Sequence, residues 1–294
     1  MYSSQQVNDR ERIDNMRSSR HGRSNKRSIM KAGFLVGIVL VVSSLIFFNN
    51  GKLSYTAAER VRDVSQSAVQ QQDKRPFTQP AQQKQPDGKP KGKVVYLTFD
   101  DGPSSLTGQF LDVLQEYNVK ATFFMQGSNL KNTGYQDNVK RAVEEGHYVG
   151  AHSMTHDAFK LYDNKQFVPE MLETLHLIRN ITGTNPKLAR PPYGSAPGLK
   201  EEQIRDQIAD AGIKIWDWTI DSYDWKLKDN PNKIVENVKE QTTEDLEVVL
   251  MHEKPQTLQV LPEIIEFYKE KGYEFAVYRD EVHFRLNFQK DNRL

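Results

Sequence analysis

The chain has 294 residues, 37% of them apolar and 27% charged, with no cysteine and a formal net charge of +1. That length allows one large or two small domains, and the lack of cysteine excludes a disulfide framework, a thiolate metal site and a cysteine nucleophile. Residues 1–31 carry six Arg and two Lys against Asp9, Glu11 and Asp14, leaving 32 basic against 36 acidic residues in the remainder; a mildly acidic body excludes nucleic acid as the main partner, because phosphate binding needs a basic face.

Residues 1–31 therefore read as a basic cytoplasmic tail. Residues 32–48 (AGFLVGIVLVVSSLIFF) come next without a charge, at the lower length limit for a helix crossing a bilayer. The cations before this run predict that the N-terminus stays in the cytoplasm and that the chain beyond residue 48 is exported. Ser54 to Ala58 offers a poor small-x-small cleavage site, so the run is expected to remain as a single-pass signal-anchor in the cell membrane. Residues 49–92 are rich in Gln, Lys, Pro and Ser and have too few large apolar side chains to offset the ordering entropy, which predicts a flexible extracellular linker.

The body is expected over 93–280, with 281–294 as a C-terminal tail. Short β-branched or aromatic runs alternate with amphipathic segments there. Strands are predicted at 94–99, 121–125, 147–151, 187–190, 213–219, 247–251 and 273–277. Helices are predicted at 108–117, 138–145, 166–180, 201–211, around 234–238 and at 258–271. The helix over 166–180 should turn Val168, Met171, Leu172, Leu175 and Ile178 inward. Such alternation implies a parallel sheet that can close into a barrel, with an open doubly wound sheet as the alternative. In either case the strand C-termini share one face. Asp100 and Asp101 follow the first strand, His152 and His156 the third, Arg190 the fourth, Asp221 and Asp224 the fifth and His252 the sixth.

Adjacent aspartates at a strand end project to different sides, since side chains alternate with period 2. One can then bind a metal while its neighbour handles protons. His152 and His156 are four apart, which on a helical turn puts both imidazoles on one side, within reach of one ion. With an aspartate they make a set of two nitrogens and one carboxylate, used in both zinc hydrolysis and non-haem iron oxygenation.

The stretches TFDDGP (98–103), HSMTH (152–156), RPPYG (190–194), DSYDW (221–225) and LMH (250–252) resemble, in order, the five motifs of the polysaccharide deacetylase family, also known as the NodB-homology or carbohydrate esterase 4 family. The resemblance spans about residues 93–280 and implies an α/β fold of the distorted (β/α)7 barrel type. It implies that Asp100 is the catalytic base acting on metal-activated water, that Asp101, His152 and His156 hold the metal, and that Arg190 orients the base. The backbone N–H of Tyr193 would serve the oxyanion, Trp225 and Leu250 would wall the acetyl groove, and His252 would be the general acid with Asp224 as its partner. Glu253 stands where the family often has aspartate. The implied cofactor is zinc, with another divalent metal such as cobalt as the alternative.

Anchor and linker together point to an immobile polymer as substrate, so the expected activity is removal of N-acetyl groups from N-acetylglucosamine in a cell-wall glycan, peptidoglycan first. Alternatives are deacetylation of an exopolysaccharide, chitooligosaccharide or acetylxylan, and a catalytically silent glycan-binding module. The sequence sets no oligomeric state.

Overall fold

The computed structural model describes residues 88–294. The expected tail 1–31, membrane span 32–48 and most of the linker 49–92 lie outside the described residues. Among those described, no helix is long and apolar enough to cross a membrane.

The elements, in chain order, are β1 (Val94–Gly102), α1 (Thr107–Glu116), β2 (Thr122–Met125), α2 (Gly127–Leu130), α3 (Thr133–Glu144), β3 (Tyr148–Ala151), α4 (Phe167–Thr182), β4 (Leu188–Ala189), α5 (Glu202–Asp210), β5 (Lys214–Ile215), β6 (Ile220–Asp221), α6 (Pro231–Gln241), β7 (Leu246–His252), α7 (Pro255–Glu270) and β8 (Glu274–Ala276). The strands pair in the order β5-β4-β3-β2-β1-β7-β6, and β8 joins β1 beside Val94–Tyr96. Each of these pairings is parallel. The end strands β5 and β6 are linked by only residues 216–219. At about 3.5 Å per residue, that link forces the two edges close together, so the sheet is curled as a barrel is.

β1 shows how the alternation of side chains builds two cores. Val95, Leu97 and Phe99 face outward and pack with Phe110, Leu111 and Leu114 of α1 and with Ile264, Ile265 and Tyr268 of α7. Val94 and Tyr96 face inward with Phe124, Trp216, Val248, Tyr278 and Phe284. Full burial of each such side chain contributes about 1.5–3 kcal/mol. The inward row of β1 continues through Thr98 to Asp100, so an aromatic floor ends in a polar rim.

The predicted strand 213–219 is shortened in the structure to β5, Lys214–Ile215, and β6 begins only after its predicted end. Trp216 and Asp217 turn their carbonyls to the Arg190 guanidinium, at 3.2 and 2.8 Å, and leave the regular ladder. Leu172, expected on the inner face of α4, is 44% exposed, whereas Met171, Leu175 and Ile178 are buried. One residue is 100° of helical rotation, which carries position 172 off the stripe centred on 171 and 175. Residues 281–294, expected as a tail, are part of the fold. Leu286 bridges Trp216 in parallel, and Phe284 and Leu294 are buried.

Candidate active site

The ladder carries the site residues to one rim. The N–H of His152 donates to Met125 O at 2.9 Å, that of Arg190 to Ala151 O at 2.9 Å and that of Glu253 to Asp100 O at 3.1 Å, each just past a strand end. Asp100 is in register with His252 across β1 and β7, and in a parallel pair such residues point to the same face.

The two aspartates do not separate by simple alternation. A register shift falls between Asp100 and Gly102, and Asp101 has φ 69°, a left-handed conformation secured where Asn129 Nδ2 donates to the Asp101 carbonyl at 2.8 Å. The bulge returns both carboxylates to the rim: Asp100 Oδ2 lies 3.7 Å and Asp101 Oδ1 3.8 Å from His152 Nε2.

Asp100 is 2% exposed and its Oδ1 accepts Arg190 Nη1 at 2.9 Å. Arg190 is fully buried, with its guanidinium carbon 4.1 Å from the Phe124 ring centroid. Its Nη1 also donates to Thr98 Oγ1 at 2.6 Å, and that hydroxyl donates to Val249 O at 2.6 Å. An arginine with so many fixed acceptors has little freedom, and Asp100 inherits that rigidity.

His152 and His156 are not on a helix. The segment 152–156 is a loop in which Ser153 and His156 have φ 61° and 53°. Glu170 of α4 shapes it: its Oε2 accepts the N–H groups of Met154 and Thr155 at 3.1 and 2.9 Å, and its Oε1 the Thr155 hydroxyl at 2.9 Å. The Ser153 hydroxyl accepts the His156 N–H at 2.9 Å. The imidazoles still meet, with ring centroids 5.0 Å apart.

Both rings have a defined tautomer. His152 Nδ1 lies 2.8 Å from the Arg190 carbonyl, which only accepts, so Nδ1 carries the proton. The Tyr193 hydroxyl donates to the His156 carbonyl at 3.0 Å and must therefore accept from His156 Nδ1 at 3.1 Å. Each Nε2 is left with its lone pair, and His156 Nε2 is 3.6 Å from Asp101 Oδ1. Ligand atoms of Asp101, His152 and His156 lie within 4.8 Å of one another. Two oriented imidazole nitrogens and a carboxylate fit a borderline divalent cation. Burial opposes ionisation of Asp101, but the positive charge facing it, from His252 first and then Lys254, holds its carboxyl below the usual carboxylate range. Burial, reinforced by His152, pushes His156 down to about 4, the neutral form a ligand needs.

Across the rim, Asp224 is fully buried. Its Oδ1 lies 2.6 Å from His252 Nδ1, and its Oδ2 accepts the His252 N–H at 2.6 Å and the Thr257 hydroxyl at 2.5 Å. Leu250, in register with Thr98 one step below the pair Asp100 and His252, is 2% exposed on the inward row. Trp225 sits half-buried in the short turn Asp224–Lys226, with Lys226 Nζ 5.2 Å from its ring centroid. Tyr193 has φ 68° in the turn after Arg190. Asp221 is buried beside the site, where its Oδ1 caps the Tyr223 N–H at 2.9 Å.

Glu253 faces away from His252. Its Oε2 accepts the hydroxyls of Ser104 and Thr107 at 2.7 and 2.6 Å, tying β7 to the start of α1. Sequence reading did not single out Thr98, Glu170, Asp217 or Thr257. Thr98 lay inside a recognised motif, while the others bind through backbone or hydroxyl contacts that no spacing rule reports.

The family model for polysaccharide deacetylase matches residues 87–216. A peptidoglycan-N-acetylglucosamine deacetylase of Bacillus cereus is 50% identical over 208 residues, 69% of this chain and 75% of the relative. The peptidoglycan-N-acetylglucosamine deacetylase PgdA of Listeria monocytogenes is 38% identical over 193 residues, 64% of this chain and 39% of that longer protein. Among solved structures, the polysaccharide deacetylase Bc1974 from Bacillus cereus superposes with a TM-score of 0.66 at 50% identity, covering 69% of this chain and all of that one. The fold and rim thus define a hydrolase of acetylated glycans, and the chain belongs to the polysaccharide deacetylase family.

Proposed function

We propose that the protein removes N-acetyl groups from N-acetylglucosamine units of peptidoglycan, with the catalytic body outside the cell and residues 32–48 as its membrane anchor. The observation that carries the chemistry is the meeting of Asp100 with Arg190, of Asp101 with His152 and His156, and of His252 with Asp224 on one rim. The substrate is inferred from relatives whose names specify peptidoglycan N-acetylglucosamine.

A divalent cation, zinc by this donor set, is to be held by Asp101, His152 and His156, where it supplies Lewis-acid polarisation and makes water a better nucleophile at neutral pH. The protein's residues do the rest. Arg190 fixes Asp100 Oδ1, leaving Oδ2 on the cluster side to accept a proton from the attacking water. The N–H of Tyr193 donates to the oxygen that gains charge as the acetamide carbon becomes tetrahedral. His252 holds a proton on Nδ1 toward Asp224 and, as imidazolium, delivers the one on Nε2 to the leaving amine, so that acetate and a free amino sugar result. Burial alone would deprotonate His252, but Asp224 first, then Asp101 and Asp100, push it up to about 9. Leu250 and Trp225 border the space for the acetyl methyl.

The test is acetate release by the zinc-loaded full chain from peptidoglycan, N-acetylglucosamine oligomers and acetylxylan, side by side. Release from peptidoglycan that is lost in Asp100→Asn supports the reading. No release, or release undiminished in that variant, rejects it, and preference for acetylxylan moves the substrate to an O-acetylated polymer.

A further inference from the structure

One buried carboxylate beside the site has no part in the chemistry above. Asp217 lies in the link between β5 and β6 and is fully buried. Its Oδ1 accepts the Ser195 N–H at 2.8 Å; its Oδ2 accepts the Ser195 hydroxyl and, at 2.6 Å, the Phe288 N–H. Its own N–H donates to Leu286 O at 2.7 Å, and its carbonyl accepts Arg190 Nη2 at 2.8 Å. Gln289 Nε2 adds a bond to the Ser195 carbonyl at 2.7 Å.

A buried carboxylate is costly unless its oxygens are satisfied, and burial still lifts this one to about 6 against the bonds from Ser195 and Phe288. The placement explains why such a group is used here. The turn from Arg190 to Ser195 bears the guanidinium that orients Asp100 at one end and the Tyr193 N–H within. Asp217 grips both ends, Arg190 through its carbonyl and Ser195 through its carboxylate. The turn also has no slack against residue 288, because a Cβ on Gly194 would lie 3.1 Å from the rings of Phe288 and Trp218.

We propose that Asp217 is a positioning residue for the reaction, and that the stretch 286–289, which it fastens to the Arg190–Ser195 turn, belongs to the catalytic apparatus. It acts through Arg190 on the base and through Ser195 on the oxyanion donor. This inference rests on the deacetylase reading, and a carboxylate is the group the position needs because it alone accepts from both the Ser195 hydroxyl and two backbone N–H groups with no donor of its own.

The experiment compares the zinc-loaded full chain with Asp217→Asn, Ser195→Ala and Ser195→Thr, by acetate release from N-acetylglucosamine oligomers and by amide hydrogen exchange. The amide of Asp217→Asn brings N–H donors against existing donors. A displacement near 1 Å then lowers kcat about 100-fold, with KM within about threefold and zinc content unchanged. Ser195→Ala is expected to lose about tenfold in kcat, the scale of one hydrogen bond, and Ser195→Thr to recover it. Exchange at residues 193–195 and 288 should quicken in both Asp217→Asn and Ser195→Ala. A purely structural role would lower the folded fraction while leaving kcat per zinc-loaded molecule unchanged. Wild-type kcat in folded Asp217→Asn overturns the proposal; where that variant does not fold, wild-type kcat in Ser195→Ala does so. Wild-type protein without activity on any glycan rejects the deacetylase reading, and unchanged exchange in Ser195→Ala then rejects the positioning role separately.

Discussion

His252 and Asp224 are joined twice, once ring to carboxylate at 2.6 Å and once from the His252 main-chain N–H to the other carboxylate oxygen at 2.6 Å. The backbone bond fixes the carboxylate, so the imidazole meets an acceptor that cannot swing away. Because the folded pKa of about 9 lies above the ordinary 6.5, protonated His252 stabilises the fold in full below pH 6.5, and that contribution is lost as pH rises through about 9.

Asp224→Asn should therefore shift the titration of the His252 ring to lower pH, as followed by NMR in the metal-free protein. The melting-temperature advantage of wild type over this variant should be greatest between the ordinary Asp224 value of 3.8 and pH 6.5, shrinking toward pH 9 and again in acid as Asp224 itself is protonated. Loading zinc should lower the ring's pKa in wild type as well, since a cation at the Asp101 cluster repels the imidazolium and neutralises the carboxylates that favour it. A ring that titrates identically in wild type and Asp224→Asn would contradict this account.

Arg190→Met leaves the Asp100 carboxylate buried at 2% exposure without its cation. Removing one partner of a buried pair costs about 3–5 kcal/mol, read here from urea unfolding at pH 7. The double change Arg190→Met with Asp100→Asn removes the stranded charge and should recover part of that loss, while acetate release stays absent. A single variant as stable as wild type would show that the pair does not hold the strand ends.

Tyr193 holds His156 in the tautomer that frees Nε2. Tyr193→Phe removes that hydroxyl and should weaken zinc binding about 10–100-fold, the usual cost of losing such an outer partner, measured by competition with a chromogenic chelator. Chelation of wild type should abolish acetate release and lower the melting temperature, and adding zinc at about 100 times its Kd should restore about 2.7 kcal/mol of stability. Equal zinc affinity in wild type and Tyr193→Phe would show that the tyrosine hydroxyl does not support His156 as a ligand.

Strand ends bearing Asp100, His152, Arg190 and His252 were legible in the sequence because burial enforces period 2 and the polar residue ends each apolar run. The means by which these groups meet were not. A helical turn was expected for His152 and His156, but the loop is shaped by Glu170, whose carboxylate, 16 and 15 residues further along the chain, accepts the N–H groups of Met154 and Thr155. Alternation was expected to part Asp100 from Asp101, but a bulge with a left-handed residue brings them together. The packing of 284–294 also left no periodic trace, since its bonds to Ser195 and Asp217 come largely from the backbone.

Glu170 gives the sharpest separation between loop shape and helix stability. Its carboxylate bonds the N–H of Met154, the N–H of Thr155 and the Thr155 hydroxyl, and two residues of that loop have positive φ, a conformation that costs about 1–3 kcal/mol per residue and persists only where the surroundings enforce it. Glu170→Ala releases the loop and should lower zinc affinity by one to two orders of magnitude, about the cost of losing an outer-shell partner. Glu170→Gln keeps one acceptor oxygen and should lose less. Leu172→Lys, on the exposed face of the same helix, should leave both zinc affinity and stability within about 0.5 kcal/mol of wild type. Zinc titrations of the three variants decide the matter: equal affinities for all three would mean that His152 and His156 hold their places without the Glu170 carboxylate.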